Sequence, residues 1–288
     1  MQVSVLGFGG SEIGYQDAAP STVERLLGSA LDAGLNVIDT AACYAASEEL
    51  IGRAVAHRRK DYHLLTKCGH ASGIDLPDWA PALIEQSIAR SLVRLRTDYL
   101  DLVQLHSCDE ETLRQGEITA ALERARDKGM TRYLGYSGDG AAALYAVQCG
   151  AFDTVQISVS IADQEAIDLV VPAARERDLG VIAKRPIANA AWLSGYLQTD
   201  TYVRPYRRRL RKLGYPFLKR DRTAAVGTAL RFTLSVPGVH TAIVGTTKPA
   251  RWEHNAELAA KGSLPAAEYD AIRERWRRVA PRDWIGLR

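Results

Sequence analysis

Four residues of this 288-residue chain are of types that together can move a proton. Asp39 and Tyr44 frame the short segment DTAACY, Lys67 closes the apolar run HLLTK, and His106 closes YLDLVQLH. A carboxylate, a phenol, an ammonium and an imidazole suit proton donation to an oxygen that is becoming an alkoxide. A free tyrosine, with a pKa of about 10, is too weak an acid for this at neutral pH. A neighbouring ammonium lowers that value because it favours the phenolate. Burial would tend to strip the ammonium of its own proton, and a carboxylate beside it keeps the proton on. The imidazole can hydrogen-bond a carbonyl and orient it. General acid catalysis of this kind contributes roughly 10²–10⁴-fold. Taken singly, each residue also has an ordinary structural explanation: a rim ion pair for Asp39 and Lys67, a core histidine for His106, a packing residue for Tyr44. What sets them apart is that they stand at or just past the ends of successive apolar runs.

Those runs alternate with helical patterns along the whole chain. Strands are expected at Val3–Leu6, Leu35–Asp39, His63–Lys67, Tyr99–His106, Thr131–Ser137, Asp153–Ser158, Gly180–Pro186 and His240–Gly245. Amphipathic segments follow each of them, for example Thr22–Ala33, Ala82–Leu95 and Glu165–Arg177. Regular alternation of this kind demands a parallel sheet, and eight units suggest a (β/α)8 TIM barrel, which typically runs to about 250 residues in one domain. A doubly wound sheet would usually carry GxGxxG after its first strand. Here the turn reads GFGGSEIG, with Glu12 in place of the third glycine. In a barrel the site lies at the C-terminal ends of the strands, and neighbouring strands are about 4.8 Å apart. Asp39, Lys67 and His106 would then meet, with Tyr44 folding back over them past the small Thr40, Ala41 and Ala42.

Composition is ordinary for a globular domain, with 47% hydrophobic and 25% charged residues. The opening MQVSVLGFGG has no basic-then-apolar leader, and no apolar run approaches the roughly 20 residues of a membrane helix. Cys43, Cys68, Cys108 and Cys149 show no CxxC spacing and read as free thiols. These features predict a cytoplasmic protein of one domain, 1–288, with no membrane partner. Net charge is +3, yet Arg204 to Arg222 holds nine Lys/Arg and one Asp, +8, so the rest of the chain carries −5. That imbalance argues against a nucleic-acid partner and predicts a local basic loop, at about 192–222, that contacts an anion or is simply solvated.

The order Asp39, Tyr44, Lys67, His106, with DTAACY and LVQLH around it, closely resembles the aldo-keto reductase superfamily over nearly the whole chain. The resemblance implies a barrel that binds a nicotinamide without a Rossmann fold. It also implies a tyrosine, here Tyr44, that protonates a carbonyl oxygen as hydride arrives. In the family a Ser-Asn pair and a Gln hold the carboxamide. Ser137 and Gln156 match, while Gly138 replaces the Asn, leaving Asp139 as a possible substitute. An aromatic usually stacks on the nicotinamide, and Lys184 stands at that position, so a pyrophosphate contact is the alternative role for it. The stretch IVGTTKPARWEHN is similar to the family's adenosine-phosphate site, through Thr246, Arg251 and Asn255. Arg251 would contact a 2′-phosphate, which favours NADP(H) over NAD(H).

The leading expectation is therefore an NADP-dependent reductase of a small-molecule aldehyde or ketone. A non-catalytic nicotinamide sensor or regulatory subunit on the same fold is a second reading, kept open by Gly138 and Lys184. A metal-dependent barrel hydrolase using Asp39, His70 and His106 is a third, although no HxH pair or clustered carboxylates stand at strand ends. No metal is expected. Trp79, Trp192 and Trp284 are candidate pocket walls. The segment after the last helix, ending in PRDWIGLR, is expected to cover little of the pocket. Substrate identity and oligomeric state are not encoded in any motif.

Overall fold

Eight parallel strands close on themselves in sequence order, β1 to β8, in a computed structural model that describes residues 1–193 and 203–287. The strands are β1 (Leu6–Gly9), β2 (Val37–Asp39), β3 (His63–Cys68), β4 (Leu100–His106), β5 (Thr131–Ser137), β6 (Thr154–Ser158), β7 (Gly180–Lys184) and β8 (Thr241–Val244). The helices are α1 (Ser11–Tyr15), α2 (Pro20–Asp32), α3 (Ser47–Val55), α4 (Pro81–Leu95), α5 (Glu110–Gln115), α6 (Glu117–Asp127), α7 (Gly140–Gln148), α8 (Glu165–Glu176), α9 (Arg204–Leu213), α10 (Arg222–Leu234), α11 (Pro249–Ala260) and α12 (Ala266–Val279). This is the single-domain (β/α)8 barrel expected. Among the described residues no helix is long and apolar enough to cross a membrane.

Two expectations need correction. The first strand is Leu6–Gly9, not Val3–Leu6. Its glycines are strand residues because the barrel leaves no room there: a Cβ on Gly7 would lie 3.1 Å from Val37. The basic stretch is not a loop over its described part. Arg204–Leu213 is a helix that buries Tyr206, Arg209, Leu210 and Leu213, spaced three and four apart on one face. Together with Tyr215, Phe217, Phe232, Ile272 and Trp276, the side chains of Tyr206, Leu210 and Leu213 form a second apolar cluster beside the main core. The beginning of the expected loop, 194–202, lies outside the described residues.

Strand periodicity of two positions the site. Val37, Leu65, Leu102, Ile182 and Ile243 form an apolar plug inside the barrel, while their strand neighbours such as Ile38, Leu64 and Val103 join the main core. Two residues further along, the same inward rows continue as Asp39, Lys67, Gln104 and Lys184. The barrel is apolar below and polar at the C-terminal mouth.

At the opposite end, Asp101 of β4 locks the strand starts together. It accepts from Arg59 at 2.7 Å and from the Leu64 N–H at 2.9 Å, and Arg132 approaches within 3.3 Å. Burial pushes its carboxyl up, but hydrogen bonds from His63, the Leu64 N–H and Arg59 outweigh this and hold it below the usual carboxylate range. Asp101→Asn is expected to destabilise the fold by about 3–5 kcal/mol, since it leaves the largely buried Arg59 cation uncompensated. A depressed folded-state value means that the carboxylate's contribution is full above the unfolded value of about 4 and is lost as pH falls through the folded one. The gap between wild type and Asp101→Asn in urea melts should therefore narrow below about pH 4. A gap that is constant with pH would contradict this role.

Candidate active site

At the centre of the barrel mouth the ammonium of Lys67 donates to Asp39 Oδ2 at 2.5 Å and to the Thr40 carbonyl at 2.9 Å. The other oxygen, Oδ1, accepts from Gln104 Nε2 at 3.1 Å and from Gln156 Nε2 at 2.9 Å. Asp39 and Lys67 are each about 1% exposed. An ion pair this deep survives because both charges are surrounded by hydrogen-bond partners. Gln104 was missed as a site residue by sequence reasoning. Its signal was available, since it stands two positions before His106 and so shares that residue's inward face.

Tyr44 reaches this pair through the loop after β2. That loop stays attached to the sheet: Thr40 N donates to the Leu65 carbonyl at 2.9 Å, and Ala42 N to the Lys67 carbonyl at 3.1 Å. Ala45, with φ of 45°, then turns the chain. From the other side α1 presses against the loop, and Tyr15 Oη donates to the Cys43 carbonyl at 3.1 Å. Gly14 makes this approach possible, because a Cβ there would meet the Tyr44 carbonyl oxygen at 2.0 Å. The Tyr44 ring centre lies 5.2 Å from Lys67 Nζ and 5.5 Å from the His106 ring, which it meets edge-on. The structure thus brings all four residues together.

His106 is held unprotonated. Burial drives its pKa well below the ordinary imidazole value, and the nearby charges of Lys67, Lys184, His70 and Arg185 act in the same direction. Cys43 Sγ lies 3.3 Å from its Nδ1. His70 packs edge-on at 5.6 Å, and Trp79 packs in turn on His70 at 5.0 Å. Trp79 is therefore part of the surroundings of the site. His70 pairs with Asp78 at 2.9 Å, and Asp39 is taken by Lys67, Gln104 and Gln156. Among the described residues no three His, Cys, Asp or Glu side chains converge as metal ligands.

The residues expected to bind a cofactor fall in two groups. Ser137 pairs in register with both His106 and Gln156, and its hydroxyl donates to Gln156 Oε1 at 3.1 Å. Gly138 has a steric reason: a Cβ would meet Tyr136 Oη at 2.3 Å, and that hydroxyl is committed to the Cys108 carbonyl at 2.7 Å. Asp139 is occupied as well. It accepts from Ser158 N at 2.6 Å and Ser158 Oγ at 3.1 Å, and pairs with Lys184 at 3.0 Å. The expected short tail also reaches further than foreseen. After a turn at Pro281–Trp284, the Ile285 carbonyl accepts from Arg209 at 2.7 Å and the Leu287 carbonyl from Arg185. Gly286 packs so closely on Asp139 that a Cβ would come within 2.3 Å. Trp284 lies under the Arg209 guanidinium at 5.0 Å and packs at a tilt against Trp276 at 5.5 Å, which makes it an anchor for the tail. Trp192 packs partly buried against both apolar clusters.

Across the mouth, the loop after β8 leads into α11. Thr246 is buried, and its hydroxyl accepts from Lys248 N at 3.1 Å. Asn255 is buried on α11, and its amide nitrogen has no partner among the described residues. A buried amide donor left open on the helix that follows the β8 loop fits a bound nucleotide. Glu12 packs near Gly245, where a Cβ would lie 3.4 Å from its side chain. Burial pushes its carboxyl up, and the charge of Arg251 opposes that shift. Glu12 is thus a further polar residue at this end, one that sequence reasoning met only as the residue breaking a glycine motif.

A sequence model described as the Aldo/keto reductase family matches residues 5–277. An uncharacterized oxidoreductase of Bacillus subtilis, YqkF, is 27% identical, over 94% of this chain and 92% of that protein. A D-threo-aldose 1-dehydrogenase of a Pseudomonas species is also 27% identical, over 95% of this chain and 94% of its own length. Among solved structures, the aldo-keto reductase AKR11C1 of Bacillus halodurans, in its holo form, superposes with a TM-score of 0.80 at 26% identity, over 95% and 92% of the two chains. The chain belongs to the aldo/keto reductase family of oxidoreductases, on a fold that takes a nicotinamide cofactor and a small-molecule substrate.

Proposed function

We propose that this chain reduces the carbonyl of a small aldehyde or ketone to the alcohol with NADPH, and catalyses the reverse oxidation under the opposite concentrations. The observation that carries this reading is the buried Asp39–Lys67 pair beneath Tyr44 and beside an unprotonated His106. A bound nicotinamide supplies the hydride. Tyr44 supplies the proton from its hydroxyl, and the Lys67 ammonium stabilises the oxygen it leaves behind. Asp39 keeps Lys67 charged and in place. His106, being neutral, donates a hydrogen bond to the carbonyl oxygen without adding a charge. A bound cofactor and substrate would displace water from this half-exposed mouth, which would strengthen each of these interactions.

Ser137 and Gln156 are suited to hold the carboxamide. The Gln156 amide has two N–H donors, and the bond to Asp39 uses one of them. Thr246, Arg251 and Asn255 are suited to the adenosine end, with Arg251 on the 2′-phosphate as the basis for preferring NADP(H). Lys184 is assigned to the cofactor site through its place at the end of β7, where its pairing with Asp139 limits the repulsion it would exert on an oxidised nicotinamide. The exposed arginines of α9, Arg204, Arg208 and Arg211, lie on the helix that packs over the β7 loop, and they would draw anions toward the mouth. The name of the Pseudomonas relative makes small sugars the first carbonyl compounds to test.

In an assay of NADPH consumption with a panel of aldehydes, ketones and sugars, Tyr44→Phe should lower kcat by about 10²–10⁴-fold while NADPH still binds. Equal turnover in both proteins would remove Tyr44 from the reaction. Tight NADPH binding with no turnover of any carbonyl by wild type would favour the sensor reading. Arg251→Ala should raise the KM for NADPH by about 10–100-fold, the loss of a charge-assisted hydrogen bond to phosphate, and that for NADH far less. An equal rise for both cofactors would contradict its role.

A further inference from the structure

Cys43 is the residue immediately before Tyr44, and its thiol points at the imidazole of His106. Its sulfur lies 3.3 Å from Nδ1, within hydrogen-bonding range for sulfur. One proton must sit between the two atoms, and which atom owns it decides the tautomer of the ring. Burial pushes the Cys43 thiol pKa up, with Lys67 opposing only in part, so the sulfur keeps its hydrogen. Burial and the surrounding cations keep the imidazole neutral. A neutral thiol is a weak acceptor, whereas an unprotonated imidazole nitrogen is a good one. The favoured arrangement is therefore S–H donating to Nδ1, with the ring proton on Nε2.

The sulfur is held in position for this. The Cys43 carbonyl accepts from Tyr15 Oη at 3.1 Å, and the amides on either side, Ala42 N and Tyr44 N, donate to the Lys67 and Ala41 carbonyls at 3.1 and 3.0 Å. The ring is confined by Tyr44 on one edge and His70 on another. We propose that Cys43 is a positioning residue: its thiol fixes His106 as the Nε2–H tautomer and so presents an N–H, rather than a lone pair, to the carbonyl oxygen of the substrate. A ring carrying its proton on Nδ1 would turn a lone pair toward that oxygen and repel it. The role in turnover rests on the reading of His106 given above, whereas the tautomer itself does not.

The test is long-range ¹H–¹⁵N correlation NMR of ¹⁵N-histidine-labelled protein, assigned with His106→Gln, on wild type, Cys43→Ala and Cys43→Ser, together with steady-state kinetics. Wild type should show His106 as Nε2–H with Nδ1 accepting a hydrogen bond. Cys43→Ala should give a mixture of tautomers or an Nδ1 free of its hydrogen bond, and lower kcat by about three- to tenfold, the loss of one modest hydrogen bond, with NADPH affinity unchanged. Cys43→Ser, whose hydroxyl can still donate, should recover both signals. An Nδ1–H ring in wild type, or a Cys43→Ala spectrum identical to wild type, would overturn the proposal. A shifted tautomer with kcat unaffected would also overturn it. If wild type turned over no carbonyl while the tautomer still followed residue 43, the reaction reading would fall and the contact would stand as a structural one.

Discussion

The rest of the site depends on an ion pair placed where water does not reach. Moving two charges out of water costs several kcal/mol per ion, and their attraction offsets this only if the remaining valences are filled. Asp39 and Lys67 are both about 1% exposed, and the barrel supplies the two charges and their partners from five different places. Gln104 comes from β4, Gln156 from β6, the Thr40 carbonyl from the loop after β2, and the two charges from β2 and β3. No single element could supply them. A closed parallel barrel can, because its strand ends converge on one axis. The same pair lends its cation to the Tyr44 ring above it and helps keep His106 neutral.

Much of this was legible because strand periodicity is simple. Once DTAACY, HLLTK and YLDLVQLH are placed at strand ends, a period of two assigns the inward face, and Asp39, Lys67 and His106 must meet. The strands are short and most helices amphipathic, so the order and number of the strands followed from pattern alone, whereas the short helices α1 and α5 and the helix α9 did not. The correction to β1 has a physical reason. Glycine in a sequence reads as a turn, but Gly7 here lets β1 approach the side chains of Val37 and Ile243. The helix Arg204–Leu213 was hidden by its own arginines. Nine Lys/Arg within nineteen residues read as solvated chain, although Tyr206, Leu210 and Leu213 already stood at helical spacing.

Other features depend on distances that no linear pattern carries. Gly138 replaces a family asparagine because the hydroxyl of Tyr136, two residues earlier, fills the space. The Lys184–Asp139 pair joins β7 to the loop after β5, and neither residue names the other in sequence. The tail is held at the mouth because Arg185 and Arg209 donate to its carbonyls there, and Arg209 is itself anchored by Asp163. The Cys43–His106 contact spans 63 positions. These are tertiary choices, and they are also where this chain departs from the pattern it resembles.

The central claim is that the buried ammonium makes the proton of Tyr44 available to the substrate. The most direct measurement is the single-turnover rate of NADPH oxidation in wild type and Lys67→Met, with enzyme in excess and a carbonyl that wild type reduces. Methionine keeps the volume, and Gln104 and Gln156 still donate to Asp39. The account predicts a fall of about 10²-fold or more, the scale of losing general acid catalysis, with NADPH affinity retained. A rate within about twofold of wild type would be too small for a lost general acid and would contradict the account.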